Sequence, residues 1–185
     1  MIYTTRPNHP LGIFLFAVLV YAATYSINDV LIKSLQGVPG VDLFRLSTGV
    51  KLLLVLLTGW IGSAAIALFC FMWCAMVLFP DNYLLAAQVA VAGGLMPLMA
   101  CQMFRRRFAS NLSGLTWQSL LQLSVVFAAL NGLVRECIVY LHLGEGELAG
   151  KVGTACVNDL LGIIFALYAF RFILMRIDLP KPQPK

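Results

Sequence analysis

Long apolar runs, bounded by glycine, proline or charged residues, make up most of this 185-residue chain. Several of them have the roughly 20 residues that a helix needs to cross the hydrocarbon layer of a membrane. The pattern predicts an all-α fold, a six-helix bundle of transmembrane spans that forms a single transmembrane domain over residues 1–185. The predicted spans are residues 11–35, 46–58, 62–79, 83–104, 117–142 and 152–175.

Two predicted spans depart from a plain apolar helix. The second is short for a full crossing unless the segment Asp42–Arg45 belongs to it. The fourth contains Gly93, Gly94 and Pro97, and proline both removes a backbone hydrogen bond and crowds the preceding turn. We therefore predict a kink or a locally opened helix there, with these three residues as a hinge.

Charged and amide side chains inside the spans concentrate at one depth. The charged residues lie about five to seven residues inside the same end of their runs, which is one level at a rise of roughly 1.5 Å per residue. Because charge inside a membrane is costly, it normally faces the bundle interior or a watery cavity. The sequence thus predicts a polar pocket near one membrane face. The predicted ligand-binding residues are Asp29, Lys51, Asn131, Arg135, Glu136, Asn158 and Asp159.

The same residues also fit a purely structural role. Arg135 and Asp159 lie on consecutive spans and form the natural buried ion pair, while Glu136 can pair with Lys51 or Arg45. This set nearly neutralises itself, so it suits an interhelical clamp that fixes helix register as well as it suits a binding pocket. Both interpretations stay open from the sequence.

Composition supports a membrane location and gives an orientation. Hydrophobic residues make up 61% of the chain and charged residues 11%, against about 25% charged in soluble domains, and the mean hydropathy is +0.88. The net charge of +5 comes from basic residues at the span ends, which argues against nucleic-acid binding. Arg105–Arg107 falls on the side of both termini, and Asp81 and Glu145 on the other. The positive-inside rule then predicts a multi-pass protein of the bacterial inner (plasma) membrane with cytoplasmic termini and an outward-facing polar level.

Motifs for catalysis are missing from the sequence. We find no nucleophile elbow, no glycine-rich phosphate loop and no HExxH pattern. The only histidines, His9 and His142, cannot form a bis-histidine haem site between spans, and the five cysteines show no CxxC pair. We expect no enzymatic activity, no cofactor and no metal.

Two segments resemble the membrane-associated sensor domains of the MASE type. Ser47-Thr48-Gly49 matches the family's "Pro-Ala-Gly" entry into an apolar helix, with the proline replaced, and Asn158–Gly162 matches its late "Gly-Asp-Leu-Leu-Gly" motif, with Asn for the first Gly. Arg105–Arg107 falls where the family has an Arg-rich helix end. The resemblance implies a sensor-like membrane module. Since the family usually carries a cytoplasmic signalling domain and this sequence stops shortly after its last span, output is expected to pass through a separate membrane or cytoplasmic protein partner.

A weaker resemblance is to the substrate-binding subunits of energy-coupling-factor vitamin transporters, which are also small six-helix bundles with an outward pocket. Their first helix carries Ala-x-x-x-Ala, a spacing that Ala17, Ala22 and Ala23 lack. Three functions are therefore expected, in this order. They are a non-enzymatic sensor-like or binding module with a small polar ligand, a substrate-binding subunit of an uptake transporter, and a structural subunit or assembly factor of a membrane complex. In each case membrane lipids surround the protein.

Overall fold

The computed structural model describes residues 9–34, 45–104, 117–144 and 148–176, and within them the chain forms six α-helices and no strand, so the predicted all-α fold is confirmed. The third helix continues into a π-helical turn at Cys74–Leu78. The α-helices are α1 Pro10–Ser34, α2 Leu46–Thr58, α3 Trp60–Trp73, α4 Tyr83–Phe104, α5 Trp117–Leu143 and α6 Leu148–Arg176.

Helix length and the apolar exterior of the bundle suit a membrane. Among the described residues, five helical stretches are long and apolar enough to cross a bilayer, namely Pro10–Val30, Trp60–Leu78, Tyr83–Phe104, Gln118–Leu143 and Leu148–Phe170. Large apolar side chains on the outside are more than half exposed, among them Leu15, Leu19 and Val91. A soluble monomer rarely exposes so much contiguous apolar surface.

Helix α2 is the exception in length. It has 13 residues and covers about 20 Å, whereas the hydrocarbon layer is about 30 Å thick. Gly59 alone separates it from α3, with a positive φ of 66° and its N–H bonded to the Val55 carbonyl at 2.8 Å. The predicted spans 46–58 and 62–79 left three residues between them, whereas Trp60, which is 66% exposed, already belongs to α3.

One apolar core joins the helices. The six helices in chain order contribute Tyr21, Leu52, Ile66, Ala100, Phe127 and Ile163, and all of these are at most 1% exposed. Because each helix contributes a fully buried side chain to the same cluster, the helices are held as one unit.

Helices α2 and α6 approach each other through two glycines. A Cβ atom at Gly49 would come within 3.0 Å of the Ile163 Cα, and a Cβ at Gly162 would overlap the carbonyl of Arg45. Small residues of this kind let membrane helices pack backbone to backbone. The close contact brings the start of α2 next to the middle of α6.

Helix α4 runs without interruption through the predicted hinge. Pro97 lies inside it and lacks the N–H that would bond to the Gly93 carbonyl. The Ser63 hydroxyl of α3 donates to the neighbouring Gly94 carbonyl at 2.8 Å, and a Cβ at Gly94 would lie only 2.6 Å from the Ser63 carbonyl oxygen. A hydroxyl from an adjacent helix is a common way to support backbone next to a proline. Movement at Gly93, Gly94 and Pro97 stays a prediction.

Candidate functional site

A cavity of about 250 Å³ opens at one end of the bundle. It lies between the C-terminal halves of α1 and α5, the first turns of α2, the end of α3 and the N-terminal half of α4. Helices α1, α3 and α5 run towards the cavity and α2 and α4 begin at it, so the polar ends of neighbouring helices lie at one level. The lining residues include Tyr21, Tyr25, Asn28, Asp29, Arg45, Ser47, Thr48, Lys51, Phe69, Trp73, Cys74, Gly93, Asn131 and Arg135.

Aromatic rings from α1 and α3 form one wall of the cavity. Tyr21 and Tyr25 are four residues apart on α1, as Phe69 and Trp73 are on α3, so each pair shares a helix face. The centroids of Tyr21 and Phe69 are 5.3 Å apart with rings nearly perpendicular, and those of Tyr25 and Trp73 are 4.9 Å apart. Edge and tilted contacts of this kind are the favoured aromatic geometry, so the wall is preformed.

Lys51 projects from α2 against this wall. Its Nζ atom lies 5.7 Å from the centroid of the Tyr21 ring, within the range of a cation–π contact. A Cβ atom at Gly93 would lie 3.5 Å from Nζ and 3.4 Å from the Cys70 Sγ. Glycine at position 93 thus leaves the space beside the ammonium group open.

Behind the cavity wall, Asp159 of α6 joins three helices through hydrogen bonds. Its Oδ1 accepts a hydrogen bond of 2.8 Å from the Thr48 hydroxyl of α2, and its Oδ2 accepts one of 2.6 Å from the Asn131 amide of α5. Asp159 is fully buried, and Thr48 and Asn131 are nearly so. We call Asp159, Thr48 and Asn131 the clamp.

The first residue of α2 is held from α1. The Leu46 N–H, one of the donors that a helix start leaves without an intrahelical partner, bonds to Asn28 Oδ1 at 3.0 Å. Arg45, which precedes the helix, offers no side-chain cap of its own. The start of α2 therefore lies at a fixed position against the cavity.

Two arginines stand beside acids, in a pairing different from the expected one. The Arg45 Nη1 lies 3.9 Å from Asp159 Oδ1, and the Arg135 Nε lies 4.0 Å from Glu136 Oε1. Asp159 thus has Arg45 rather than Arg135 as its cationic neighbour. The reason is the glycine contact between α2 and α6, which brings Arg45 to Asp159.

The structure divides the predicted ligand-binding residues into two groups. Asp29, Lys51, Asn131 and Arg135 line the cavity. Glu136, Asn158 and Asp159 do not line it. Asp159 lies behind the wall and Asn158 is buried with 4% exposure, while the Glu136 side chain is 13% exposed beside Arg135. Of the predicted hinge, only Gly93 borders the cavity.

Several site residues were missed by sequence reasoning. The aromatic wall could have been found from its spacing, since Tyr21 and Tyr25, and Phe69 and Trp73, repeat every four residues at the depth of the charges. Thr48 carried no such signal, because a threonine in an apolar helix usually bonds its own backbone. Its partner Asp159 lies 111 residues away in the chain.

A π-helical turn closes the end of α3 next to the cavity. The Phe79 N–H bonds to the Cys74 carbonyl, five residues back, at 2.7 Å. Trp73, Cys74 and Leu78 from this region line the cavity. Single π turns of this kind occur frequently at functional sites.

Comparison with family models, with curated proteins and with solved structures finds no match to this chain.

Proposed function

We propose that the protein is a non-enzymatic, polytopic membrane protein whose cavity binds a small polar ligand, in the manner of a sensor-like module that acts through a partner protein. In this proposal it lies in the bacterial inner membrane with both termini in the cytoplasm. The cavity then faces the periplasm or the exterior. The MASE-type resemblance in the regions of Ser47–Gly49 and Asn158–Gly162 agrees with this proposal.

The membrane part of the proposal is supported by helix length and by the bundle exterior. Five stretches have the length and hydropathy of membrane spans, and the outer side chains are apolar. In the sequence, Arg105–Arg107 directly follows α4, the helix whose N-terminal half lines the cavity. With the positive-inside rule, this distribution favours an outward-facing cavity.

The observation that carries the binding role is the polar cavity itself. Three helices, α1, α2 and α5, contribute Asp29, Lys51, Asn131 and Arg135 to its wall, beside four aromatic rings. A concave site with apolar walls and a few convergent polar groups is the usual form of a small-molecule site. Because the clamp already joins α2, α5 and α6, the charges on the cavity wall are not needed for that purpose.

The clamp favours one alternative, a structural subunit of a membrane complex. Asp159 bonds to Thr48 and Asn131 through both of its oxygens, which is the arrangement expected of a residue that sets helix register. In this alternative the protein has a permanent partner and no ligand.

Purification of the tagged protein in mild detergent, with mass spectrometry of bound proteins and small molecules, separates the two functions. We expect a small molecule to accompany the native protein and to be lost from a folded Arg135→Gln variant. Lys151→Met, which removes an exposed charge of α6 outside the cavity, is the control and should keep it. A stoichiometric protein partner without a small molecule, unaffected by Arg135→Gln, would instead establish the structural subunit.

A further inference from the structure

We infer that the ligand of this cavity is a small organic anion, with carboxylate or phosphate oxygens on a flat apolar body. The inference rests on the proposed function, in which the cavity is a ligand site, and it names the chemical class of that ligand. It follows from the hydrogen-bond donors, the charges and the aromatic surface of the cavity wall.

One cationic side chain of the wall has a buried donor without an acceptor. The Nη1 atom of Arg45 is buried and has no hydrogen-bond partner among the described residues. It lies 3.9 Å from Asp159 Oδ1, and the Arg135 Nε lies 4.0 Å from Glu136 Oε1, so both separations exceed hydrogen-bond length. Buried donors in folded proteins are nearly always bonded. A ligand with anionic oxygens supplies the acceptors that this wall needs.

The acids near these cations lie behind the wall rather than on it. Asp159 is fully buried and its two oxygens already accept bonds from Thr48 and Asn131. Glu136 does not line the cavity either. Within the described residues, the lining therefore contains three cations and one acid, Asp29. A cavity with this surface attracts anions and repels cations.

The aromatic wall and the volume define the rest of the ligand. A cavity of about 150 Å³ can hold benzene, so the volume of about 250 Å³ here accommodates one ring with a charged substituent. The rings of Tyr25 and Trp73 offer a flat apolar surface beside the cations. The Tyr21 ring already has Lys51 near it, which argues against an aromatic cage for a cationic ligand.

Three probes of the same size test the charge preference, namely benzoate, benzamide and benzamidine, which are anionic, neutral and cationic. Trp73 serves as the reporter in the otherwise native chain after Trp60→Phe and Trp117→Phe, since the sequence has three tryptophans. Fluorescence titration of the purified protein should give benzoate at least about tenfold tighter binding than either other probe, as one charge-assisted hydrogen bond would provide.

Matched lysine variants then assign the effect to the cavity. Lys51→Met should weaken benzoate binding at least about tenfold, Lys51→Arg should retain most of it, and Lys151→Met should leave it unchanged. Loss of binding in all three variants would show a general effect on folding. Circular dichroism of each variant checks whether it is folded. Unchanged binding in a folded Lys51→Met protein would overturn the inference.

The other outcomes separate failure of this inference from failure of the proposed function. Equal or tighter binding of benzamidine or benzamide overturns the anionic class and leaves a ligand cavity in place. If benzoate does not bind although acrylamide quenches Trp73, the cavity is open and the anionic class is wrong. If acrylamide quenches Trp73 only in the denatured chain, the cavity is closed and the proposed function fails as well.

Displacement of benzoate by phosphatidylglycerol, but not by inorganic phosphate, would assign the anionic group to a lipid headgroup and overturn the small-molecule ligand.

Discussion

The clamp and the cavity wall contain the same kinds of residue at the same level of the bundle, yet they are built differently. In the clamp, both oxygens of Asp159 are occupied by hydrogen bonds of 2.8 and 2.6 Å, and the group is fully buried. On the wall, Arg45, Lys51 and Arg135 lie beside open space, and the two arginines are 3.9 and 4.0 Å from Asp159 and Glu136, beyond hydrogen-bond length.

If the cavity binds a ligand as proposed, buried charge serves stability in one place of this protein and recognition in another. A satisfied charge fixes the helices that it joins, because removing one partner leaves the others unpaired in a low-dielectric interior. An unsatisfied charge at a cavity contributes little to the fold and leaves its donors available to a ligand. The two roles should therefore respond oppositely to mutation.

Loss of the clamp carboxylate is expected to have the largest effect on stability. Asp159→Ala should lower the free energy of unfolding by about 3–5 kcal/mol, because it leaves the Thr48 hydroxyl and the Asn131 amide without their acceptor and the Arg45 charge without its anionic neighbour. Equilibrium unfolding in mixed detergent micelles measures this. Asp81→Ala, in the exposed turn before α4, is the control and should change stability by no more than about 0.5 kcal/mol. A similarly small change for Asp159→Ala would show that the clamp does not stabilise the fold.

A larger residue at the contact between α2 and α6 should have the next largest effect on the free energy of unfolding. Gly162→Ala places a methyl group against the Arg45 carbonyl and should cost about 1–3 kcal/mol as the α2–α6 contact widens. Gly153→Ala is a matched control on the same helix, since a Cβ there meets nothing within 4 Å. It should stabilise the protein by roughly 0.5–1 kcal/mol, as alanine does inside a helix. The same unfolding assay compares the pair, and equal effects at the two positions would contradict the close contact.

Substitutions on the cavity wall should change stability least. Lys51→Met and Arg135→Gln should each alter the free energy of unfolding by no more than about 1 kcal/mol, since Lys51 makes only a cation–π contact with Tyr21 at 5.7 Å and Arg135 a partly exposed pair with Glu136 at 4.0 Å. Thermal unfolding of the purified variants measures the effect. A loss as large as that of Asp159→Ala would mean that the wall, too, is part of the structural framework.

The helices could be predicted from the sequence because apolar run length and helix breakers determine them directly. Spans 46–58 and 83–104 coincide with α2 and α4, and the third and sixth spans differ from the helices by a few residues at their ends. The polar level was also visible, because depth along a helix depends only on residue count. The same arithmetic places Lys51 and Arg135 at the cavity.

The side chains that contact each other between helices could not be predicted from their depth. Depth gives the level of a side chain but not the helix that it faces, so Arg135 was paired with Asp159 when Arg45 is the neighbour. That choice depends on the contact of Gly49 with α6, which is a three-dimensional fact. The π-helical turn at Cys74–Leu78 likewise has no sequence signature that we could have used.

The short length of α2 has an electrical consequence in the proposed membrane. If Trp60 marks one interface, the roughly 20 Å of α2 leaves its first turn about one third of the way in from the opposite face. Moving one elementary charge across a full 100 mV membrane potential changes its free energy by about 2.3 kcal/mol. An anion bound beside the first turn of α2 would experience about a third of this, roughly 0.8 kcal/mol per 100 mV, so its occupancy would vary with membrane voltage.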